Sequence, residues 1–290
     1  MIQPAQSGSA PSDDPPTEVT LIVSIHSLPD PTGVQALKTR YLEGLLAPLD
    51  GMWDTGFIAP APHFELRLDD RRAGYCVIDE AGTLIQFFME AGSRVHGKAL
   101  LEAVLHDHSV AQAIAFTLDP WFLSLCLDRQ SSVKTHSYLY ELPSSATGGE
   151  ADLRGATLRL LDGPELRRVV EFQQSCVHGG TSLTDWLLGY SSQLIGRREL
   201  YVLGDGDDWI GLGECRRSDT QPGVADLGMM VAPARRRRGW GTAILRRLCA
   251  LCGAQGLRPI CSTTVENIGA QRAIEDAGFV SRHRIVDIRF

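Results

Sequence analysis

The sequence predicts an α/β fold made of two tandem copies of one unit, each a mixed, mostly antiparallel sheet flanked by helices. Three observations carry this expectation. Residues 156–290 alternate short apolar strand patterns with stretches of helical spacing. Residues 19–141 run through nearly the same order. Each stretch also holds one Arg- and Gly-bearing turn between an apolar strand and a helix, Arg94-Val95-His96-Gly97-Lys98-Ala99 in the first and Arg236-Arg237-Arg238-Gly239-Trp240-Gly241 in the second. An internal duplication is the economical explanation.

Taken in order, residues 1–18 are polar and Pro/Ser-rich and read as a disordered tail without an export signal. The first unit, 19–141, then offers a strand at 19–25, a helix around 33–48 and strands at 63–68, 74–79 and 83–89. A turn at 90–97 leads into a helix to about 106. A strand at 111–118, a short helix opened by Pro120 and a strand at 133–141 complete the unit. Residues 142–155, rich in Pro, Ser and Gly, read as a linker.

The second unit, 156–290, predicts a strand at 157–161, helices over 164–176 and about 183–195, and strands at 199–203, 208–215 and 224–231. Helix 240–254, strand 259–265, helix 268–277 and strand 280–289 follow. Pro164 suits a first helical turn, and Gly278 suits a helix stop.

Composition narrows the function. The chain has 290 residues, 43% of them hydrophobic, with a net charge of −7. No apolar run approaches the roughly 20 residues that span a bilayer. An acidic chain with one basic spot at Arg235–Arg238 suits a small anionic ligand better than nucleic acid. Seven scattered cysteines do not form a disulfide framework and point to a reducing cytoplasm. Cys249 and Cys252 fall on the apolar side of a predicted helix and read as core, with no second ligand pair for a metal.

The turn at 236–242 should hold a phosphate. N–H groups at a helix start lack intrahelical partners, glycine lets a ligand approach the backbone, and the helix dipole favours negative charge. Arginine side chains add charge-assisted hydrogen bonds.

With Val231 and Pro233 ahead of this R-x-x-G-x-G turn, Val265-Glu266-Asn267 closing the next strand, then Ala270 and Gly278-Phe279, residues 156–290 resemble the GNAT family of acetyl-CoA-dependent N-acyltransferases. The resemblance implies two tandem GNAT-like domains, the first a degenerate copy. It further implies acetyl-CoA as the acyl donor and a small-molecule amine as the acceptor. By resemblance, the backbone from Arg237 through Gly239, Trp240 and Gly241 to Thr242 would hold the cofactor's pyrophosphate, with Arg236, Arg237 and Arg238 adding charge. Main-chain groups of Met229, Met230 and Val231 would pair with the pantetheine arm, a Val231-side N–H would polarise the thioester carbonyl, and Asn267 would contact the cofactor. Helix capping is the competing role for Asn267.

The reaction also needs a base to deprotonate an ammonium. Glu214 and Asp226 are the best-placed carboxylates by family analogy, with Glu266 a further candidate and His178 in the expected acceptor region. Four residues before Gly278 the sequence has Ile274 where many family members carry an acidic tyrosine. Tyr190, Ser262 and Cys261 are conceivable substitutes, and a thiolate can also leave unprotonated.

In the first unit Asp119 stands where Asn267 does in the second, and Glu90 places a negative charge just before the turn. His106 and His108 read as helix-end residues, while the aromatic segments Trp53–Phe57 and Trp121-Phe122 are candidates to line a pocket, with core or inter-domain packing the favoured role. Three functions compete. They are an N-acetyltransferase for a small amine, a non-catalytic coenzyme A-binding or regulatory module, and a protein acetyltransferase.

Overall fold

The computed structural model describes residues 21–143, 151–176, 184–205 and 208–290. The expected tail, the centre of the expected linker and His178 lie outside them. The first half contributes β1 (Val23–Leu28), α1 (Gln35–Glu43), a π-helical segment (Met52–Ile58), β2 (His63–Leu68), β3 (Arg71–Ile78) and β4 (Thr83–Met89). It continues with α2 (Gly97–Asp107), β5 (Gln112–Phe116), α3 (Pro120–Leu127) and β6 (Ser132–Glu141). The second half contributes β7 (Thr157–Leu160), α4 (Leu166–Cys176), α5 (Thr184–Gly196), β8 (Leu200–Asp205), β9 (Asp208–Arg217) and β10 (Val224–Val231). Then come α6 (Trp240–Ala254), β11 (Arg258–Thr264), α7 (Ile268–Asp276) and β12 (Val280–Arg289).

Most differences from the expected elements have local causes. The first strand starts later than 19–25. The first helix stops at Glu43 instead of running to 48, because Gly44 closes it by donating to Arg40 and Tyr41 carbonyls. The aromatic stretch 52–58 is a π-helix, a rare element that single-sequence periodicity does not register.

All the strands join one sheet, in the order β1-β2-β3-β4-β5-β12-β6-β11-β10-β9-β8-β7. The order reads as a palindrome about the β12–β6 pair. Each half's last strand has crossed over: β12 lies against β5 of the first half, and β6 lies against β11 of the second. The two exchanged strands pair antiparallel with one another from Ser132 to Glu141 and from Val280 to Arg289. The linker therefore does not separate two self-contained sheets. Within each half the third and fourth paired neighbours differ in sense, since β4·β5 and β10·β11 are parallel and the other strand pairs antiparallel.

Helices cover both faces. In the second half α6 and α7 pack Ile244, Leu245, Leu248, Cys252 and Ile274 onto Ala225, Leu227 and Cys261. Burying each large aliphatic side chain contributes about 1.5–3 kcal/mol. The opposite face carries Leu212, Val202 and Met230 against Val169 and Leu194 of α4 and α5. Strand alternation thus sends Ala225, Leu227 and Met229 toward α6, and Asp226, Gly228 and Met230 toward α5.

Candidate functional site

The two Arg-Gly turns keep matching bonds, which confirms that they are counterparts. Arg94 Nε donates to Met89 O at the end of β4, and Arg236 Nε donates to Val231 O at the end of β10, five residues back in each case. The caps after β5 and β11 also match: Asp119 Oδ1 accepts from Phe122 N–H and Asn267 Oδ1 from Ala270 N–H. Trp121 of the first half therefore corresponds to Gly269 of the second.

That correspondence separates the halves. A Cβ on Gly97 would lie 2.7 Å from Trp121 Cζ2, so the indole fills the space over the first turn. A Cβ on Gly239 would meet only Arg154 Nη2, at 3.5 Å, and one on Gly269 would meet only Asn267 Oδ1. The backbone differs as well. The first turn winds as a 3₁₀ helix straight into α2, with Gly97 N–H donating to Arg94 O. The second has left-handed residues at Arg237 (φ 60°) and Gly239 (φ 79°). Holding a non-glycine residue there costs of order 1 kcal/mol. Its return is an open cradle: among the described residues, the N–H groups from Arg237 to Thr242 donate to no acceptor. Such a run at a helix start binds phosphate oxygens.

The side chains named from the sequence divide in role. Arg236 does not project into the cradle. Its guanidinium donates to Val231 O at 3.1 Å and Cys176 O at 2.7 Å, bracketing the turn against the end of α4. Arg237 and Arg238 remain without an ionic partner among the described residues. Trp240 lies beneath the guanidinium of Arg154, and Thr242 Oγ1 donates to Ala273 O. Gly241 sits in close packing, since a Cβ there would lie 3.2 Å from Met229 Sδ and 3.3 Å from Ala273 Cβ. Asn267 uses its side-chain oxygen as the cap of α7, the role that competed with cofactor contact. Beyond the Asp226–Ile260 pair, β10 and β11 diverge, leaving the β11-facing edge of Met229–Val231 without a strand partner, with Val231 O already held by Arg236.

Glu214 and Asp226 come together on the α5 face. In the β9–β10 register Asp226 sits opposite Arg216, and Glu214 opposite Gly228. Arg216 bridges them, with Nη1 3.2 Å from Glu214 Oε2 and Nη2 3.1 Å from Asp226 Oδ1. Tyr190 of α5 donates to Glu214 Oε2 at 2.6 Å and accepts from Arg216 at 2.7 Å. Burial opposes the Arg216 charge, but Asp226 and Glu214 outweigh it and hold the guanidinium well above its usual range. Burial and the nearby Asp50 push the Asp226 carboxyl up to about 7, against the pull of Arg216 and the Gly51 N–H. Burial and Glu214 raise the Tyr190 hydroxyl.

A cavity of about 430 Å³ opens on this face, lined by Tyr190, Arg216 and Asp226 from the second half and by Gly51, Met52 and Thr55 from the first. The first half is fastened here. Gly51 N–H donates to Asp226 Oδ2 at 2.8 Å, and the Gln221 amide bonds both Leu49 N–H and Leu49 O at 2.8 and 2.9 Å. Thr220 also donates to Asp54. Thr55 falls in the Trp53–Phe57 segment that the sequence offers as a pocket lining, whereas Gly51 and Met52 carry no such signal, because their role depends on a contact some 170 positions away.

The remaining candidates fall elsewhere. Glu266 is exposed in the turn after β11. Ile274 is 2% exposed in the α6/α7 core. Tyr190 is bound to Glu214 on the opposite face of the sheet from α7, and Cys261 donates to Leu227 O at the base of the β10–β11 divergence. His106 pairs with Asp107, His108 packs edge-on to Phe64, and Glu90 pairs with Arg40. Trp53 packs on Phe57 and Phe116, and Cys252 on Cys215 within the core.

The comparisons with known proteins decide the family. The model described as the Acetyltransferase (GNAT) domain matches residues 32–142, and the Acetyltransferase (GNAT) family model matches residues 169–279. An acetyltransferase of the GNAT family from Colwellia psychrerythraea is 30% identical, with a TM-score of 0.86 over 92% of this chain and 99% of that one. The chain belongs to the GNAT family. It is a tandem GNAT protein, with one GNAT domain model in each half. Two more distant structures share the fold over nearly the whole length. A GCN5-related N-acetyltransferase from Sphaerobacter thermophilus is 15% identical (TM-score 0.63; 92% of this chain, 95% of that one). A tandem GNAT protein from the clavulanic acid biosynthesis pathway is 16% identical (TM-score 0.59; 92% and 98%). No protein of curated function matches the chain. No helix among the described residues is long and apolar enough to cross a membrane.

Proposed function

We propose that the second half transfers an acetyl group from acetyl-CoA to the amine of a small molecule, and that the first half shapes the acceptor pocket without binding the cofactor itself. One observation carries this reading. The Arg237–Thr242 cradle is open and the Gly97 cradle is filled by Trp121, while a cavity bearing Asp226 lies on the other face of the same β10 strand. When bound, acetyl-CoA supplies the thioester. The residues of the chain do the rest: the cradle N–H groups hold the pyrophosphate, the unpaired edge of Met229–Val231 takes the pantetheine arm, and a Val231-side N–H polarises the carbonyl.

Asp226 accepts the proton from the acceptor's ammonium. A carboxyl held at about 7 is matched to that task, because half of it is ionised near neutral pH and its conjugate acid is weak. Arg216 and Tyr190 tie Glu214 into the same network. The amine nitrogen then attacks the carbonyl carbon and the carbon–sulfur bond breaks. With Ile274 in the core, no α7 side chain protonates the leaving thiolate, which at an ordinary thiol pKa near 8.5 leaves as the anion and takes its proton from water. A pocket enclosed by both halves suits a small acceptor better than a protein chain.

Purified protein mixed with acetyl-CoA and a panel of primary amines should release free thiol above the hydrolysis rate for some of them, and Asp226→Asn should lower turnover while cofactor binding persists. Ile274 keeps one other reading in view, a coenzyme A-binding module without catalysis. Cofactor binding with no amine-dependent thiol release would establish that reading instead.

A further inference from the structure

We infer that the acceptor is an elongated amine with a second cationic nitrogen, its reacting end at Asp226 and its far end held between Trp186 and Asp185 at the cavity mouth. This rests on the amine-acceptor reading and names the substrate class of that site.

The charges of the wall point this way. Three arginines line the cavity, and all are engaged by the protein. Arg197 is paired with Glu199 at 2.9 Å and Asp219 at 2.7 Å. Arg217 is paired with Glu199 at 3.1 Å, and Arg216 lies between Glu214 and Asp226. No guanidinium is left over to receive an anionic group. Four carboxylates line the cavity against three guanidiniums, and two of these carboxylates, Glu199 and Asp219, are taken by Arg197 and Arg217. Asp185 lines the cavity and has no cationic partner among the described residues. Asp226, only 3% exposed, has its Oδ1 at ion-pair distance from Arg216, yet that oxygen accepts no hydrogen bond among the described residues. One carboxylate is thus buried at the inner end, and one is exposed at the outer end.

The outer end also has an aromatic shelf. Trp186, next to Asp185 on α5, is 53% exposed in spite of its size. One face of its indole stacks on Tyr190 with ring centroids 4.8 Å apart and planes 10° apart. The opposite face has no aromatic partner among the described residues and can receive a cation over the ring. The wall also carries Leu49, Met52, Val224 and Ile260, an apolar surface beside the Tyr190 hydroxyl and Arg216. That apolar surface accepts a methylene chain.

The test compares α,ω-diamines from 1,3-diaminopropane to 1,8-diaminooctane with n-alkylamines of equal carbon number. The readouts are thiol release from acetyl-CoA by the full-length protein and calorimetric binding of the same amines to its coenzyme A complex. A diamine of intermediate length should exceed the matching alkylamine by at least about tenfold in kcat/KM and in affinity. Asp185→Asn should bring that ratio toward one, Trp186→Leu should reduce it, and both variants should melt at the wild-type temperature. Alkylamines that match or surpass the diamines, with affinity rising steadily with length, would overturn the inference and leave the amine-acceptor reading standing. Coenzyme A binding with neither amine binding nor thiol release in either series would overturn the amine-acceptor reading as well.

Discussion

Replacing Asp226 by asparagine should make the protein more stable relative to wild type as pH rises, and the size of that change is set by how the carboxyl is held. Its ordinary value is 3.8, and burial together with Asp50 displaces it to about 7. A tenfold change in proton affinity is worth about 1.4 kcal/mol, so the displacement corresponds to on the order of 4 kcal/mol between the protonated and ionised carboxyl. The sign follows from proton counting. Between about pH 4 and 7 the native state keeps a proton that the unfolded chain has lost, so stability falls as pH rises through this window. Below it both states are protonated and the cost vanishes; above it the cost is complete. Asparagine mimics the protonated carboxyl at every pH. Urea unfolding of both proteins at pH 4.5 and pH 8 isolates Asp226 together with the Asp50 charge it interacts with, because titrations remote from the site are common to the pair. Asp226→Asn should gain several kcal/mol on wild type between the two conditions. A stability difference that stays constant with pH would refute the argument that Asp226 is buried beside Asp50 and only partly compensated by Arg216.

Other expectations follow from the same geometry. Gly269→Trp should reproduce in the second half the plug that Trp121 forms in the first; losing two or more charge-assisted hydrogen bonds at about 1.5–3 kcal/mol each weakens coenzyme A binding by a factor on the order of a hundred or more, measured by calorimetry on a variant whose circular dichroism is native. Gly241→Val should destabilise the fold by about 1–3 kcal/mol in thermal melts, since even a Cβ there lies within 3.4 Å of Met229 and Ala273 atoms. Residues 21–143 and 151–290 produced as separate chains should each fail to fold alone yet assemble when produced together, because each lacks the strand lying beside its own β5 or β11; a folded, monomeric second half in size-exclusion and heat-capacity measurements would contradict the exchanged sheet. Gln221→Ala should loosen the Leu49–Gly51 segment, detectable as faster hydrogen exchange at the Gly51 amide.

What the sequence disclosed was local. The 3.6-residue and two-residue periodicities placed most helices and strands, and the turn at 236–242 revealed its cradle because glycine at a left-handed position and unpaired N–H groups are properties of adjacent residues. Asn267 fills the capping role weighed for it, its oxygen accepting from Ala270 N–H. Arg236 was expected to meet the ligand and instead braces the turn, a choice governed by the Cys176 carbonyl on another helix. The crossing of β6 and β12 was not legible, because a strand's pattern records which face is buried and not which neighbour supplies its hydrogen bonds. The wall from Leu49 to Met52 was hidden for the same reason, while the Trp53–Phe57 segment, a pocket candidate in the sequence, packs its aromatic rings and turns Thr55 and Gly56 toward the cavity.

The central claim is that a single cofactor site survives, in the second half. Calorimetric titration of the full-length protein with coenzyme A tests it most directly. The structure predicts one site per chain, lost in Gly239→Glu and retained in Gly97→Glu wherever that variant remains folded. Two sites per chain, or a single site that survives Gly239→Glu, would contradict it.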